Sequence, residues 1–180
     1  MSIRLETERL ILRRPVAADY DAFKEFAAAG GLRHIYGDLT DGQVFRSFAT
    51  ELGHWEMLGF GMWTVTFKGS DKPVGLVGPW RPADWPEFEL GWMIYGNAEG
   101  KGIAREAATA ARTDAYVRLG WKTAVSYIAP QNLRSIKLAE RLGAVLDPTA
   151  KTPPSDKPCL VYRHPAPAEM ALGKTLEAAG

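Results

Sequence analysis

The stretch Glu99–Ala107, EGKGIAREA, follows the apolar run FELGWMIYG and leads into alanines and charges at helical spacing. A strand stops, a turn with two glycines around Lys101 follows, and a helix begins. Such a junction has a specific chemical capacity. The first N–H groups of a helix lack internal partners, point outward and, with the dipole, favour an anion. Glycine removes the side chains that would hold a phosphate away from those groups. Two phosphate motifs fail here. A P-loop needs one more residue between Gly96 and Gly100, and Gly102 stands where a metal-binding hydroxyl belongs. A dinucleotide fingerprint fits Gly100 and Gly102, but Arg105 occupies its third glycine position, and the motif follows several strands instead of opening a βαβ unit. The pyrophosphate turn of an acyl-coenzyme A enzyme fits, and so does a plain tight turn into a helix.

The elements that must position this turn are readable from periodicity. RLILRR (9–14) alternates like a half-buried strand that Pro15 ends, and DYDAFKEFAAAGG reads as a helix stopped by Gly30–Gly31. Thr40 and Gln43 form a capping box for a second helix, with Val44, Phe45, Phe48, Leu52 and Trp55 expected on its inner face. WTVTF and VGLVG read as strands around the turn KGSDKP, and PWRPADWP as a proline-rich loop. EFELGWMI is the next strand, with Glu87, Glu89, Gly91 and Met93 on one face and Phe88, Leu90, Trp92 and Ile94 on the other. A helix from about Ala104 to Leu119 carries a stripe of Ala104, Ala107, Ala108, Ala111 and Ala115, small enough for close packing on a sheet. TAVSYIA is a strand; PQNLRSIKLAERLG is a helix with Asn132 at its N-cap and Gly143 at its C-cap; AVL and CLVYRH are final strands around a loop. The order β-α-α-β-β-β-α-β-α-β-β implies an α/β mixed sheet, largely antiparallel, with a parallel or splayed pair late in the chain. Residues 1–165 are expected to form one domain and 166–180 a loose tail or an extra helix.

The 180 residues support a sizeable core, and 46% are hydrophobic, an ordinary globular composition. With 22 basic against 21 acidic residues there is no electrostatic case for nucleic acid or an anionic membrane. The N-terminus lacks a signal-peptide core and no run has transmembrane length, so a cytoplasmic location is expected. Cys159 stands alone and reads as a buried structural thiol; with it, and with His34, His54 and His164 widely spaced, no metal site is expected. Oligomeric state, monomer or homodimer, is left open.

Glu99-Gly100-Lys101-Gly102-Ile103-Ala104 resembles motif A of the GNAT superfamily of N-acetyltransferases, Q/R-x-x-G-x-G/A: Gly102 and Ala104 match and Glu99 departs. A carboxylate would repel a pyrophosphate, so Glu99 is expected to point away. LETERLILRRPVAADYDAF, ELGWMI with GKGIAREA, and NLRSIKLAERLGA are similar to segments of the branch that acetylates ribosomal-protein N-termini, over most of residues 3–164. The resemblance implies a sheet splayed open after the ELGWMI strand, with acetyl-CoA in the splay. Its pantetheine arm would lie along Trp92, Met93 and Ile94, and its pyrophosphate on Gly100, Lys101, Gly102, Ile103, Ala104 and Arg105. Asn132 and Ser135 match the following motif. A neutral amine attacking a thioester needs a base, an oxyanion donor and a route for the sulfur. Glu89 is the candidate base, with Glu87, Asp84 or water as substitutes; the Met93 N–H is a candidate oxyanion donor. The tyrosine that protonates the thiolate in many relatives is Ala139 here, leaving Ser135 as a candidate donor that could equally be bonded within its helix. Trp80 and Trp85 are candidate walls of the amine pocket. The expected function is acetyl transfer from acetyl-CoA to a primary amine, either a protein N-terminus or a small molecule. The competing reading is a non-catalytic acyl-CoA-binding sensor.

Overall fold

The computed structural model describes residues 3–170. Its sheet has eight strands in the order β1-β2-β3-β4-β5-β6-β8-β7: β1 Arg4–Glu6, β2 Leu10–Arg13, β3 Trp63–Phe67, β4 Pro73–Trp80, β5 Glu89–Ile94, β6 Val125–Ile128, β7 Val145–Leu146 and β8 Leu160–Arg163. Every pairing is antiparallel except β5 with β6. The helices are α1 Tyr20–Ala28, α2 Asp41–Leu58, α3 Ile103–Val117 and α4 Leu133–Arg141.

Alternation along the strands divides the core between the two faces. Leu10, Leu12, Val65, Val77, Leu90 and Ile94 pack with α3 through Ile103, Ala107, Ala108 and Ala111, and these three alanines are completely buried. Leu76, Met93 and Tyr95 face the other way, against Phe23 of α1 and Val44 and Phe48 of α2. With helices on both sides, Thr64 and Thr66 are buried too, and Thr64 donates to Asp19, which also takes a two-pronged hydrogen bond from Arg13. The capping box forms as expected: the Thr40 hydroxyl accepts from the Gln43 N–H and the Gln43 side chain accepts from the Thr40 N–H.

The structure corrects the sequence reading at several places. Residues 4–6 form an additional strand, too short to carry a periodic signal. Pro79 and Trp80 belong to β4, not to a loop, while β5 begins at Glu89 instead of Glu87. Phe45 is exposed, and the inner stripe of α2 runs Val44, Phe48, Glu51, Trp55. Cys159 is half-buried. A helical turn occupies 167–170, and the remainder of the expected tail lies outside the described residues.

The seam between β5 and β6 governs the site. The two strands pair only at Glu89 and Val125, where the Val125 N–H donates to the Phe88 carbonyl at 2.9 Å. One residue on, the Leu90 carbonyl takes its hydrogen bond from the Ser126 hydroxyl at 2.6 Å. Serine has one proton, so the 2.9 Å contact between Ser126 Oγ and His164 Nε2 requires the imidazole to donate there. Nδ1 is then free to accept from Arg112 at 3.1 Å, and Arg112 also donates to the Leu142 carbonyl. Burial, with the Arg112 charge adding, pushes the His164 pKa down to about 3, which keeps the ring neutral. A buried relay therefore joins α3, β8 and β6 to β5 where the sheet opens. Ser126→Ala leaves a buried carbonyl and an imidazole N–H without partners. It is expected to destabilise the fold by about 1–3 kcal/mol, read as a lower urea midpoint; an unchanged midpoint would mean the seam is held elsewhere.

Candidate active site

Gly100 and Gly102 have φ of 74° and 77°, left-handed conformations that other residues adopt at a cost. They turn the chain from β5 into α3, with Gly102 as N-cap and no side-chain cap. The first hydrogen bond into α3 runs from the Glu106 N–H to the Gly102 carbonyl, so the N–H groups of Ile103, Ala104 and Arg105 have no backbone partner among the described residues. Lys101 and Arg105 are exposed beside them. The turn is braced from the β1–β2 hairpin, a connection the sequence did not suggest. Arg9 donates to the Lys101 carbonyl at 3.1 Å and to Glu106 at 2.7 Å, and the Thr7 hydroxyl donates to Glu106 at 2.6 Å. Arg9 thereby neutralises the one carboxylate in the first turn of α3.

β5 supplies one wall of the opening. The Tyr95 N–H donates to the Val74 carbonyl in β4, while the Phe88 and Leu90 carbonyls face β6. Alternation then turns the main-chain groups of Trp92 and Ile94 toward the opening and those of Met93 toward β4; a Cβ built on Gly75 of β4 would lie 2.5 Å from the Met93 carbonyl. The Met93 N–H, a candidate oxyanion donor in the sequence, therefore faces β4 and not the opening, and Met93 contributes a buried side chain on the α2 side.

α4 supplies the other wall. Asn132 caps it, its side-chain oxygen accepting from the Ser135 N–H at 3.2 Å. The Trp92 indole reaches across to donate to Ser135 Oγ at 3.1 Å, which fixes that oxygen and leaves its own proton free. Ala139 is fully buried in α4. Glu99 pairs with Arg134 of α4, so its charge is met at the rim, between the start of α3 and the start of α4.

The carboxylates separate by their partners. Glu87 is held by Arg163 through two hydrogen bonds of 2.7 and 2.9 Å, and Asp84 is exposed in its loop. Glu89, at the point where β5 and β6 part, accepts from the Trp85 indole at 2.5 Å. Burial pushes its pKa up to about 7 against the pull of Trp85 and the Tyr127 backbone N–H. Trp85 is thus a partner of the candidate base, whereas Trp80 is buried and stacks on His54. A second carboxylate was not anticipated. Glu51 is 1% exposed, and burial, with the Glu89 charge adding, pushes it up to about 8. The signal was the spacing 44, 48, 51, 55 on α2, hidden because the third member is charged.

Together these features make an opening in the sheet with unpaired N–H groups at its rim, main-chain donors along one wall and a near-neutral carboxyl at its base. The acetyltransferase (GNAT) domain family matches residues 9–145. The chain belongs to the GNAT acetyltransferase family. It is 37% identical to an acetyltransferase from Agrobacterium tumefaciens str. C58, over 92% of this chain and 96% of that one, with a TM-score of 0.84. A GNAT-family acetyltransferase from Bacillus anthracis shares the fold at 20% identity, with a TM-score of 0.70 over 90% of this chain and 96% of that one. So does a ribosomal-protein-S5-alanine acetyltransferase from Vibrio fischeri at 14% identity, with a TM-score of 0.69 over 93% and 99%. Acetyl-CoA is the co-substrate the GNAT family implies, and the free N–H groups of Ile103, Ala104 and Arg105 suit its pyrophosphate. Gly102→Ala adds a Cβ in ordinary contact with Arg9 and strains the turn by about 1–2 kcal/mol. Coenzyme A affinity measured by calorimetry is expected to fall about tenfold while the melting curve stays cooperative. Normal affinity in the folded variant would place the pyrophosphate elsewhere.

Proposed function

We propose that the protein transfers an acetyl group from acetyl-CoA to a primary amine by direct attack, with Glu89 as general base. One observation carries this reading: Glu89 sits where the sheet opens, anchored by Trp85, with burial holding its carboxyl near neutrality. A base of that strength is ionised often enough at neutral pH to take a proton and strong enough to be useful. As the nitrogen attacks the thioester carbonyl, its proton passes to Glu89, directly or through one water, and the N–H groups of Trp92 and Ile94 face the developing oxyanion. The C–S bond then breaks. Ser135, its oxygen fixed by Trp92, donates a hydrogen bond to the departing thiolate, which takes its proton from Glu89 or solvent. A thiol pKa of about 8.5 makes a stronger acid unnecessary, which answers the missing hydroxyl at Ala139. That missing hydroxyl is what favours the alternative, a sensor that binds acyl-CoA without turnover. The likeness to a ribosomal-protein acetyltransferase makes a protein α-amine one acceptor to compare with small amines.

The wild-type kcat/KM is expected to rise as pH climbs through about 7, because the base must be ionised to act. Glu89→Gln should lower kcat on the order of 10²-fold near pH 7.5 and leave coenzyme A affinity unchanged. Its residual rate should rise only toward the pKa of the amine itself, so the deficit shrinks in alkali as the acceptor arrives neutral. Thiol release followed across pH with an amine panel decides the matter. Equal wild-type and variant rates at pH 7.5 would remove Glu89 from the mechanism, and coenzyme A binding without thiol release for any amine would favour the sensor.

A further inference from the structure

The transfer described above leaves Glu51 without a role. It lies on the buried face of α2, 1% exposed, and its Oε2 has no hydrogen-bond partner among the described residues. None of the ion pairs among those residues involves Glu51 or Glu89. An unpaired buried carboxyl is destabilising, and a hydrocarbon side chain of similar size would serve the α2 core better.

Its surroundings are polar where a core would be apolar. Ser47 lies one turn earlier on the same helix, its hydroxyl oxygen buried and within reach of the Tyr36 phenol. The Tyr36 and Tyr95 phenols complete the neighbourhood: burial raises both pKa values first, and the Glu51 charge adds to each. An unpartnered carboxyl oxygen, a second carboxyl whose charge adds to its shift and no paired cation among the described residues describe a site that a positively charged donor would complete.

We propose that Glu51 is the acceptor-recognition carboxylate, and that the acceptor enters as an alkylammonium ion whose nitrogen Glu89 deprotonates for attack. The inference rests on the transfer reaction proposed above. A peptide α-amine, with a pKa of about 7.7–8.0, is partly neutral at working pH and needs one base. An alkylamine, with a pKa near 10, arrives charged and must be both held and deprotonated. Two carboxyls divide those tasks. Glu51 gives up its own proton to solvent as the ammonium binds and then balances the charge through an N–H···O bond, Glu89 accepts the proton that frees the nitrogen lone pair, and the second N–H proton leaves with the thiol.

The test compares wild type, Glu51→Gln, Glu51→Asp and Glu89→Gln with acetyl-CoA and three acceptors: butylamine, diaminobutane and a lysine-free peptide with a free N-terminus. Thiol release gives kcat and KM separately, and calorimetry gives coenzyme A affinity as the check that each variant is folded. Wild type should use the alkylamines at least about tenfold better than the peptide, by kcat/KM. Glu51→Gln should raise the KM for alkylamines about tenfold or more while kcat moves by about threefold at most, and Glu51→Asp should restore part of the affinity. Glu89→Gln should show the opposite split. An unchanged alkylamine KM in a Glu51→Gln protein that binds coenzyme A and turns over would overturn the role of Glu51. Preference for the peptide would overturn the alkylammonium class. If wild type binds coenzyme A but releases thiol with no amine, the transfer reaction itself fails and this assignment falls with it.

Discussion

At Glu89 and Val125 the two strands in the middle of the sheet are still within hydrogen-bonding reach; at Leu90 the carbonyl already depends on the Ser126 side chain. Past that point the main-chain groups of Trp92 and Ile94 have no strand beside them, and an unpaired strand edge is a template for another extended chain. A sheet that parts in its middle would ordinarily be a liability. Here the parting is fixed on one side by the neutral His164 relay to Arg112 and on the other by Trp92, which bonds across to Ser135. The gap is thus a built feature, and the donor site proposed here depends on its width.

The two ends of that gap have opposite electrical character. At the rim, α3 presents three unpaired N–H groups with Lys101 and Arg105 nearby, while Glu99 and Glu106 are each matched by an arginine. At the base, Glu51 is buried and Glu89 half-buried beside Trp85; neither has a cationic partner among the described residues, and burial raises both toward neutrality. Under the reaction and acceptor proposed above, two substrates of opposite charge would be drawn to opposite ends of one opening. Desolvation of both carboxyls, with the Glu89 charge adding at Glu51, favours a proton on the pair, which would ready Glu89 for the base role proposed above.

Much of this was legible in the residues. The alanine stripe of α3 predicted close packing on the sheet, and the glycine turn predicted exposed N–H groups, because both are local and periodic. The Thr40–Gln43 capping box located the start of α2 for the same reason. What escaped was set by distant parts of the chain. Nothing near Thr7 or Arg9 indicates that they brace a helix about a hundred residues away, and nothing near Ser126 indicates that it completes a hydrogen bond for β5. Pro79 and Trp80 read as loop because proline is unusual inside a sheet, yet they pair with Leu90 and Glu89. Glu51 gives no apolar signal in the sequence because a carboxylate takes the third position of an otherwise apolar stripe. Which way the Met93 main chain faces depends on the register of β4 against β5, which no local pattern reveals.

The account is tested most directly by residue-resolved amide hydrogen exchange with and without coenzyme A. Trp92 and Ile94 on β5, and Ile103, Ala104 and Arg105 at the start of α3, should exchange readily in the free protein and gain protection when coenzyme A binds. Met93, already paired with β4, should be protected in both. Protection gained elsewhere, with these five amides unchanged, would contradict the assignment of the splay between β5 and β6 as the donor site.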